Sequence, residues 1–273
     1  MDNARFVLIV FFFLLSMMLY QQWQLDYGPK PPAPATQAGA QPPASPDVPG
    51  GAPVASGAPA ETQQGVALGS RQKISVATDV VRMTIDTQGG DIRQLDLLHY
   101  PVAKDEPDKP VQLFSDGELI FVAQSGFLGE EASAPNHHSV WQGAATAYRL
   151  ADGQDELRIP LAWTSPQGVT ITKTYVLKRG SYDILLEQRV VNPGQSPWTA
   201  RQYVQLQRKD PGDKNKDQYI RTYTGGVLYT PEEKYEKISF KDMAGENLSR
   251  QSQEGWIAMI QHYFLAAWIP MAG

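Results

Sequence analysis

The sequence predicts an all-β fold of antiparallel strands at residues 66–273, preceded by a transmembrane anchor at residues 1–27 and a disordered linker at residues 28–65. Three observations lead to this division. An uncharged apolar run begins at Phe6, a tract rich in Pro, Ala and Gly follows it, and the remainder alternates polar and apolar residues between turn signals. Because the strand segments are short and lack helix-length connections, an antiparallel sandwich is favoured over a parallel sheet.

The apolar run is predicted to be a single transmembrane helix. With its flanks it covers residues 4–23, which is 20 residues and about the number needed to cross ~30 Å of hydrocarbon at ~1.5 Å per residue. Arg5 and Trp23 are predicted to anchor it at the two interfaces. The residues predicted to lie in the bilayer are Phe6, Val7, Leu8, Ile9, Val10, Phe11, Phe12, Phe13, Leu14, Leu15, Met17, Met18, Leu19 and Tyr20.

A cleaved secretory signal is the alternative for this run. The apolar core of such a signal usually has ~7 to 15 residues and ends at a small-x-small site. Here the run continues directly into bulky Tyr20 and then Gln21, so retention in the membrane is favoured. Arg5 and the α-amino group are opposed only by Asp2, which favours a cytoplasmic N-terminus.

The linker is predicted from its composition. Residues 28–65 contain ten Pro and nine Ala, no aromatic residue, and only Lys30, Asp47 and Glu61 as charged residues. Such a segment buries too little apolar surface to offset the entropy of ordering its backbone, so it should remain disordered with polyproline-like stiffness. Its extended reach is on the order of 100 Å at ~3.1 Å per residue.

The region after Val66 is predicted to contain a succession of strands. Val81, Met83 and Ile85 alternate with polar residues, and the same period of two recurs at residues 169–177. Further runs of this kind lie at residues 119–124, 156–164, 182–191 and 198–207, and turns are predicted at residues 88–91, 152–153, 165–168, 178–181 and 192–194.

Composition excludes several classes of function. The formal net charge of -5 and the isoelectric point near 5.4 leave no basic stripe for nucleic acid. The chain has no Cys, which excludes disulfides, thiolate nucleophiles, Cys-ligated metals and the lipid-modified Cys of a lipoprotein. Phosphate-binding loops, G-x-S-x-G and G-x-G-x-x-G patterns are also missing from the sequence, so no cofactor is predicted.

The histidines give no strong indication of a metal site. His137 and His138 are adjacent, and adjacent side chains on a strand point in opposite directions, so a shared metal is not expected. His99 and His262 lie in apolar sequence surroundings, where hydrogen-bonded core histidines are expected. No H-E-x-x-H pattern is present.

Acidic residues are interpreted as solvated loop residues. Asp213, Asn215 and Asp217 imitate the start of a calcium loop, but Gln218 replaces the Gly of the sharp turn and Thr224 replaces the bidentate Glu. The carboxylates that could in principle form an acid/base pair lie in polar, turn-rich segments, where a solvated surface is expected. They are Asp105, Glu106, Asp108, Glu130, Glu131, Glu232 and Glu233.

Two further patterns have simple structural interpretations. Asn247-Leu248-Ser249 fits a glycosylation sequon, which has meaning only in a eukaryotic secretory context. The apolar segment at residues 255–270 is too short for a second transmembrane helix and contains Gln261 and His262 near its middle. It is predicted to form two buried strands.

Several residues and motifs, among them Met1, Asp2, Arg5 and the segment at residues 255–270, together resemble one bacterial family, the YidC family of membrane protein insertases. Met1, Asp2 and Arg5, followed directly by the apolar run, resemble the uncleaved first transmembrane helix of that family. The most specific match lies in the segment at residues 255–270, namely Gly255, Trp256, residues 259–264 and residues 267–270. Other residues of the resemblance are Thr87, Gly89, Gly90, Ile92, Leu95, Tyr100, Lys173, Tyr175, Gly180, Ser181, Tyr182, Asn192, Tyr223, Gly225, Gly226, Tyr235, Lys237 and Ile238.

The resemblance implies a periplasmic β-supersandwich similar to galactose mutarotase, borne on one transmembrane helix of the bacterial inner membrane. It implies a role in inserting and folding integral membrane proteins, alone or with the Sec translocon. The implied partners are nascent membrane proteins, the translocon with its accessory subunits, and lipid. In that family the insertion groove is made by five later helices, so the present residues are expected to supply an anchor and a non-catalytic scaffold whose final strands would follow Gly273.

Two other functions fit parts of the sequence. A carbohydrate-binding or mutarotase-like module would need a paired general acid and base, and none of the four His has a recognisable partner. A TonB-like transducer also combines a short anchor with a Pro-rich spacer, but its terminal domain is smaller and contains helix.

Overall fold

The computed structural model describes residues 17–18, 68–129, 134–212 and 222–271. The chain divides into two compact units, residues 1–43 and 44–273. In the first unit, Met17 and Met18 are helical and exposed. The predicted linker and the rest of the predicted anchor lie outside the described residues. No helix within the described residues has the length and apolar character needed to cross a membrane.

Fifteen strands lie in the described part of the second unit. They are β1 (Lys73–Ala77), β2 (Val81–Asp86), β3 (Asp91–Pro101), β4 (Pro110–Phe114), β5 (Phe121–Gly129), β6 (Gln142–Gly143), β7 (Ala147–Arg149), β8 (Glu156–Thr164), β9 (Thr170–Lys178), β10 (Ile184–Val191), β11 (Ala200–Arg208), β12 (Thr224–Thr230), β13 (Lys234–Ile238), β14 (Trp256–Gln261) and β15 (Phe264–Trp268). The short helix α1 (Phe240–Gly245) begins with a capping box made by Ser239 and Asp242. The all-β prediction is therefore confirmed for this region.

The strands form three sheets. Sheet 1 has seven strands in the order β11-β5-β3-β2-β1-β7, with β4 also paired to β3. Sheet 2 has the order β10-β9-β8-β6, and sheet 3 has the order β13-β12-β14-β15. All pairings are antiparallel except one: β1 and β7 run parallel, with Val76 opposite Tyr148. The prediction of a purely antiparallel sheet was wrong at this edge, because the chain passes through β6 before returning beside β1.

Local sequence accounts for the hairpins. β2 and β3 are joined through Gly89 and Gly90, which have φ angles of 77° and 62°, a region that favours glycine. β8 and β9 are joined by a turn in which the Ser165 hydroxyl accepts the Val169 N–H at 3.0 Å. In this segment Gly168 has a φ of 86°. The turns predicted between these strands are confirmed.

Alternating burial places the core between the sheets. In β8 the pattern of exposed and buried residues has a period of two, with Ile159 and Leu161 fully buried. Met83 and Ile85 from sheet 1 and Ile171 from sheet 2 belong to the same apolar cluster. Sheet 3 contributes a smaller share of buried residues to this core, including Ala266.

Candidate functional site

A buried cation holds sheet 2 to a turn of sheet 1. Lys173 lies on β9, and its Nζ donates to the carbonyl oxygens of Gly89 at 2.7 Å and Ser125 at 3.1 Å. The same Nζ lies 4.6 Å from the ring centroid of Trp141, within the range of a cation–π contact. Burial lowers the pKa of Lys173 to about 8, against the opposing attraction of Asp91.

Asp91 is the buried counter-charge of this cation. Its carboxylate lies 3.4 Å from Arg93 and accepts a hydrogen bond from Gln124 Nε2 at 2.9 Å. Gln124 in turn accepts from Gln205 Nε2 at 2.8 Å. Burial raises the pKa of Asp91 to about 6, although Lys173, Gln124 and Arg93 all favour its charged form.

Tyr175 completes a group of residues that we term the glycine-turn clasp: Lys173, Tyr175 and Asp91 with the Gly89-Gly90 turn. The Tyr175 hydroxyl donates to the Gly90 carbonyl oxygen at 2.6 Å. Burial raises the pKa of Tyr175 well above its usual range. Two side chains of sheet 2 therefore hold both glycine carbonyls of the β2–β3 turn. Because the clasp is sealed from solvent, its chemistry serves the fold and offers no reacting group to a substrate.

A second cluster is aromatic and partly exposed. Tyr100 at the end of β3 lies 5.6 Å, between ring centroids, from both Tyr182 and Phe264. The side chains of Tyr100 and Tyr182 are 46% and 38% exposed, and Tyr263 beside them is 79% exposed. We term Tyr100, Tyr182 and Phe264 the aromatic cluster. It brings together the end of β3, the β9–β10 turn and the start of β15.

A carboxylate lies at the rim of the aromatic cluster. Asp79 accepts the backbone N–H of Gly180 at 2.9 Å, which fixes its position beside the β9–β10 turn. The pKa of Tyr182 is raised by partial burial and by the nearby Tyr100 and Asp79. Aromatic rings with polar tips of this kind are enriched at protein interfaces.

An apolar groove of about 640 Å³ lies between sheet 3, strand β11 of sheet 1, α1 and the loop that follows α1. Leu206, Val227, Met243, Leu248 and Met259 are among its lining residues. It has the dimensions and lining of a cleft for apolar side chains.

Tyr223 fixes the β12–β13 hairpin beneath this groove. Its hydroxyl lies 2.6 Å from the Gly226 carbonyl oxygen and 2.8 Å from that of Ile238. Lys237 Nζ lies 4.9 Å from the Tyr223 ring centroid. Partial burial raises the pKa of Tyr223. These residues of the sequence resemblance therefore serve to hold two strands together.

Comparison with known proteins identifies the family of the chain. The family model of the YidC periplasmic domain matches residues 73–273. The chain belongs to this family. The match begins at Lys73, the first residue of β1, and includes every strand, so all three sheets lie within the YidC periplasmic domain region.

Relatives named membrane protein insertase YidC match almost the whole chain. The protein from Methylococcus capsulatus is 58% identical over 278 residues, covering 100% of this chain and 50% of the relative. That from Thioalkalivibrio sulfidiphilus is 42% identical over 283 residues, covering 99% and 50%. That from Coxiella burnetii is 38% identical over 281 residues, covering 99% and 49%. The chain spans about half the length of the curated relatives it matches.

The structure separates the residues of the YidC resemblance into buried and exposed groups. Gly89, Gly90, Lys173 and Tyr175 meet in the clasp, where they stabilise the fold. Tyr100, Tyr182 and Phe264 come from three distant segments and meet at the surface. In the second group, Tyr100 and Tyr182 are exposed, whereas Phe264 is half-buried and packs against the core.

The histidine predictions were partly wrong. His99 and His262 are exposed, and His262 sits in the β14–β15 turn with a φ of 50°. The rings of His137 and His138 do not point apart; their centroids are 4.2 Å apart. His137 is buried, and its Nδ1 lies 2.6 Å from the Tyr203 hydroxyl. No group of three metal-ligating side chains occurs within the described ranges.

The structure describes only some of the acidic residues that were predicted to be solvated. Asp105, Glu106, Asp108, Glu232 and Glu233 are exposed, as expected for solvated residues. Glu130, Glu131 and the residues that imitate a calcium loop, Asp213, Asn215 and Asp217, lie outside the described residues. The sequon at Asn247 is exposed.

The segment at residues 255–270 does form two strands, β14 and β15. They are only partly buried, however, since Leu265 is 56% exposed. The prediction of two buried strands was therefore only half correct. The predicted interface residues Arg5 and Trp23 and all predicted bilayer residues except Met17 and Met18 lie outside the described residues.

Sequence analysis alone did not identify the clasp as a charged site. The alternation of inward and outward residues along the strands did contain a signal for this site. Lys173 is in phase with Ile171 and Tyr175 on the buried face of β9, and Arg93 is in phase with Leu95 on β3. A charged residue at an inward position of an alternating strand indicates a buried ion pair.

Proposed function

We propose that this chain is the anchor and periplasmic scaffold of a membrane protein insertase, and that it takes part in inserting and folding integral membrane proteins. The observation that carries this proposal is the match of residues 73–273 to the YidC periplasmic domain. The proposed partners are nascent membrane proteins, the Sec translocon with its accessory subunits, and the lipid bilayer. The proposed role is non-catalytic, which is supported by the burial of Asp91 and Lys173 in the clasp, out of contact with solvent.

The proposed location is the bacterial inner membrane. A single helix at residues 6–20, with Arg5 and Trp23 at its ends, would anchor the chain with a cytoplasmic N-terminus and a periplasmic β domain. We also propose that the sheets form a supersandwich of the galactose mutarotase type. The burial of one apolar cluster by residues of all three sheets supports this, because sheets that share a core must pack face to face.

Site-specific cross-linking tests the scaffold function. Because the chain has no Cys, a single introduced Cys is the only reactive thiol. Val102→Cys lies beside the aromatic cluster, and Asp152→Cys lies in the exposed β7–β8 turn as a matched control. The full chain is placed in nanodiscs with purified Sec translocon and a stalled nascent membrane protein, and a thiol-reactive cross-linker is added.

Cross-links from Val102→Cys to the nascent chain or to a translocon subunit, and none from Asp152→Cys, are the expected result. Equal labelling from both positions, or none from either, would contradict a docking role. Calorimetric titration of the same protein with simple sugars tests the rival carbohydrate-binding function. Saturable heat at micromolar to millimolar sugar would favour that rival over the scaffold.

A further inference from the structure

A short segment at residues 69–72, which we term the strap, leads the chain into the β domain. It lies directly before β1, and its four residues are exposed to solvent. Each of them nevertheless makes a hydrogen bond to a buried side chain of sheet 1 or of the turn beside it. The strap is therefore an exposed segment that is held by groups of the core.

The first attachment of the strap is a buried carboxylate. Asp86 at the end of β2 is fully buried. Its oxygens accept hydrogen bonds from the Ser70 hydroxyl, the Arg71 N–H at 2.9 Å and the Gln88 N–H at 2.8 Å. Two of these three donors belong to the strap, and a buried carboxylate that loses its donors is costly. Lifting the strap therefore disturbs Asp86 and, through Gln88, the β2–β3 turn.

The second attachment leads to the anion of the clasp. Arg93 Nη2 donates to the Gly69 carbonyl oxygen at 3.2 Å, and the same nitrogen lies 3.4 Å from the Asp91 carboxylate. Arg93 and Asp91 are both buried, whereas Gly69 is exposed. Lifting the strap therefore removes an acceptor from the cation that pairs with Asp91.

The third attachment leads to the cation of the clasp. The Gln72 N–H donates to Thr87 Oγ1 at 3.1 Å, and the Thr87 N–H donates to the Gln72 carbonyl oxygen at 2.9 Å. The Thr87 carbonyl oxygen accepts the Trp141 N–H at 2.7 Å. The Trp141 ring is the one that lies against Lys173 Nζ. Two buried residues therefore connect the strap to Lys173.

We propose that the strap closes the glycine-turn clasp and that strap and clasp open together. Exposed segments with few buried apolar contacts open at low free energy, and this one takes partners of Asp86 and Arg93 with it when it opens. Coupling between two sites is reciprocal, so a loosened clasp also frees the strap. The chain entry thus regulates how firmly sheet 2 is held to sheet 1. A pull from a membrane anchor as the cause of opening rests on the proposed function, whereas the coupling itself does not.

Native-state proteolysis measures how often the strap opens. Trypsin cleaves after Arg71 only when the strap has left its partners, and cleavage after Arg158, inside β8, reports global unfolding in the same digest. The full chain is used in detergent micelles, without a bilayer or a partner protein. Cleavage after Arg71 is expected to be much faster than cleavage after Arg158, because the strap opens locally.

A clasp substitution tests the coupling in one direction. Tyr175→Phe removes the hydroxyl that donates to the Gly90 carbonyl oxygen. It is expected to raise the cleavage rate after Arg71 about fivefold, as for the loss of one hydrogen bond. Tyr235→Phe, on the exposed edge strand β13, is the matched control and should leave this rate unchanged.

A strap substitution tests the coupling in the other direction. Ser70→Ala removes one donor to Asp86, and the amide of Gly89, which donates to the Ser139 carbonyl oxygen at 2.8 Å, should then exchange its hydrogen about fivefold faster. Ser252→Ala, at an exposed serine bonded to Glu232, should not change this exchange.

Two results would overturn the coupling of strap and clasp. One is cleavage after Arg71 that is no faster than cleavage after Arg158, because the strap would then open only when the whole domain unfolds. The other is a strap that opens by itself, seen as an Arg71 rate unchanged in Tyr175→Phe or a Gly89 exchange rate unchanged in Ser70→Ala. Neither result bears on the proposed membrane role, since no bilayer is present in the assay.

Discussion

The side chain of Lys173 shows how a charge can be retained in a β core. Removing an ammonium group from water is costly, and its attraction to a carboxylate compensates only when the remaining donors are satisfied. Lys173 meets this condition through the carbonyl oxygens of Gly89 and Ser125, the ring of Trp141 and the charge of Asp91. The ion therefore fixes the position of the β2–β3 turn more than it adds net stability.

Removing the Lys173 charge is expected to destabilise the domain strongly. Lys173→Met keeps the approximate length of the side chain but leaves two buried carbonyl oxygens without this donor and Asp91 without its cation. We expect the free energy of unfolding in urea to fall by about 3 to 5 kcal/mol. Lys178→Met, at the exposed end of the same strand, should change it by less than about 0.5 kcal/mol. Equal effects of the two substitutions would contradict the role of the clasp.

The pKa of Asp91 predicts an unusual response to acid. Its pKa is about 6 in the folded protein and 3.8 in the reference state, so between these pH values the folded protein binds the extra proton. Where the folded state binds more protons, stability decreases as pH rises, and lowering the pH from 6 towards 4 therefore stabilises the fold through this group. Urea unfolding should show the wild type gaining stability relative to Asp91→Asn when the pH is lowered from 7 to 5.

Asp116 provides the control for this pH effect. Its burial is outweighed by hydrogen bonds from Lys73 and Gln94, and its pKa is lowered. The stability it contributes is lost only as pH falls below its usual range, so the wild type and Asp116→Asn should differ equally at pH 7 and pH 5. An Asp91→Asn variant that behaves in the same way would show that Asp91 is charged throughout this pH window.

Single residues also show the limits of sequence reading. Lys173 could have been found, because it occupies an inward phase of β9, whereas the Gln124 and Gln205 that extend the network lie far apart in sequence. His99 was predicted to lie in the core, but apolar neighbours in the sequence do not determine whether the core covers the end of a strand. Its exposure follows from its position near the end of β3, beyond the part covered by the core.

At the scale of elements, the β2–β3 turn depends on glycine for two separate reasons. Gly89 has a φ of 77°, and a Cβ added there would lie 2.5 Å from the Asp91 carboxylate. Gly153 has a nearly equal φ of 79°, but a Cβ added there would meet no atom within 4 Å. Comparing alanine substitutions at Gly89 and Gly153 therefore separates the energetic cost of the backbone conformation from the cost of disturbing the clasp.

Gly89→Ala is expected to destabilise the domain more than Gly153→Ala. The left-handed conformation costs each alanine about 1 to 2 kcal/mol. Only Gly89→Ala must also displace Asp91 from its contacts with Arg93 and Gln124. Urea unfolding of both variants measures the difference, and indistinguishable losses would show that the turn has room to relax around Asp91.

The two edge strands of sheet 3 differ in how well they are protected against pairing with another strand. Edge strand β13 carries Lys234, Glu236 and Lys237, charged residues that discourage pairing with another strand. Edge strand β15 has no charged residue, and Leu265 on it is 56% exposed. An unprotected apolar edge favours association with a further strand.

A lysine on β15 should reduce self-association of this chain. Leu265→Lys is expected to shift the sedimentation velocity profile towards the monomer at high protein concentration, with little change in urea unfolding. Leu119→Lys, at an exposed turn residue, serves as the control and should leave the profile unchanged. If both substitutions shift the profile equally, added charge rather than the β15 edge is responsible.

Strands were predictable from the sequence, and their partners were not. The run at residues 156–164 coincides with β8, because a period of two fixes strand and face together. The division into three sheets and the parallel pairing of β1 with β7 depend on contacts between residues far apart in sequence. No local pattern at residues 147–149 distinguishes an edge strand from a turn.

For the whole molecule, the proposed function requires that the β domain remain attached to the membrane. The sequence predicts that residues 6–20 with their flanks span the membrane and that the bulky residues after them are not a cleavage site. A retained helix and a proline-rich tether would keep the aromatic cluster within reach of membrane partners. Under the proposed function, cleavage of this segment would instead leave the domain unattached, and the same surface would not remain close to a site of insertion.

The proposed retention of residues 6–20 as a membrane helix predicts a specific result for the chain expressed in a Gram-negative bacterium. Mass spectrometry should find the initial residues of the chain intact, and alkaline carbonate should leave the protein in the membrane pellet, because a spanning helix resists extraction. A variant with Leu8, Phe12 and Leu15 replaced by Asp should become extractable, since each charge at mid-helix costs about 3 kcal/mol. Replacing Met17 and Met18 with Leu keeps the apolar character and should change nothing. A soluble product beginning beyond Trp23 would show that the segment is a cleaved signal and that the domain works unattached.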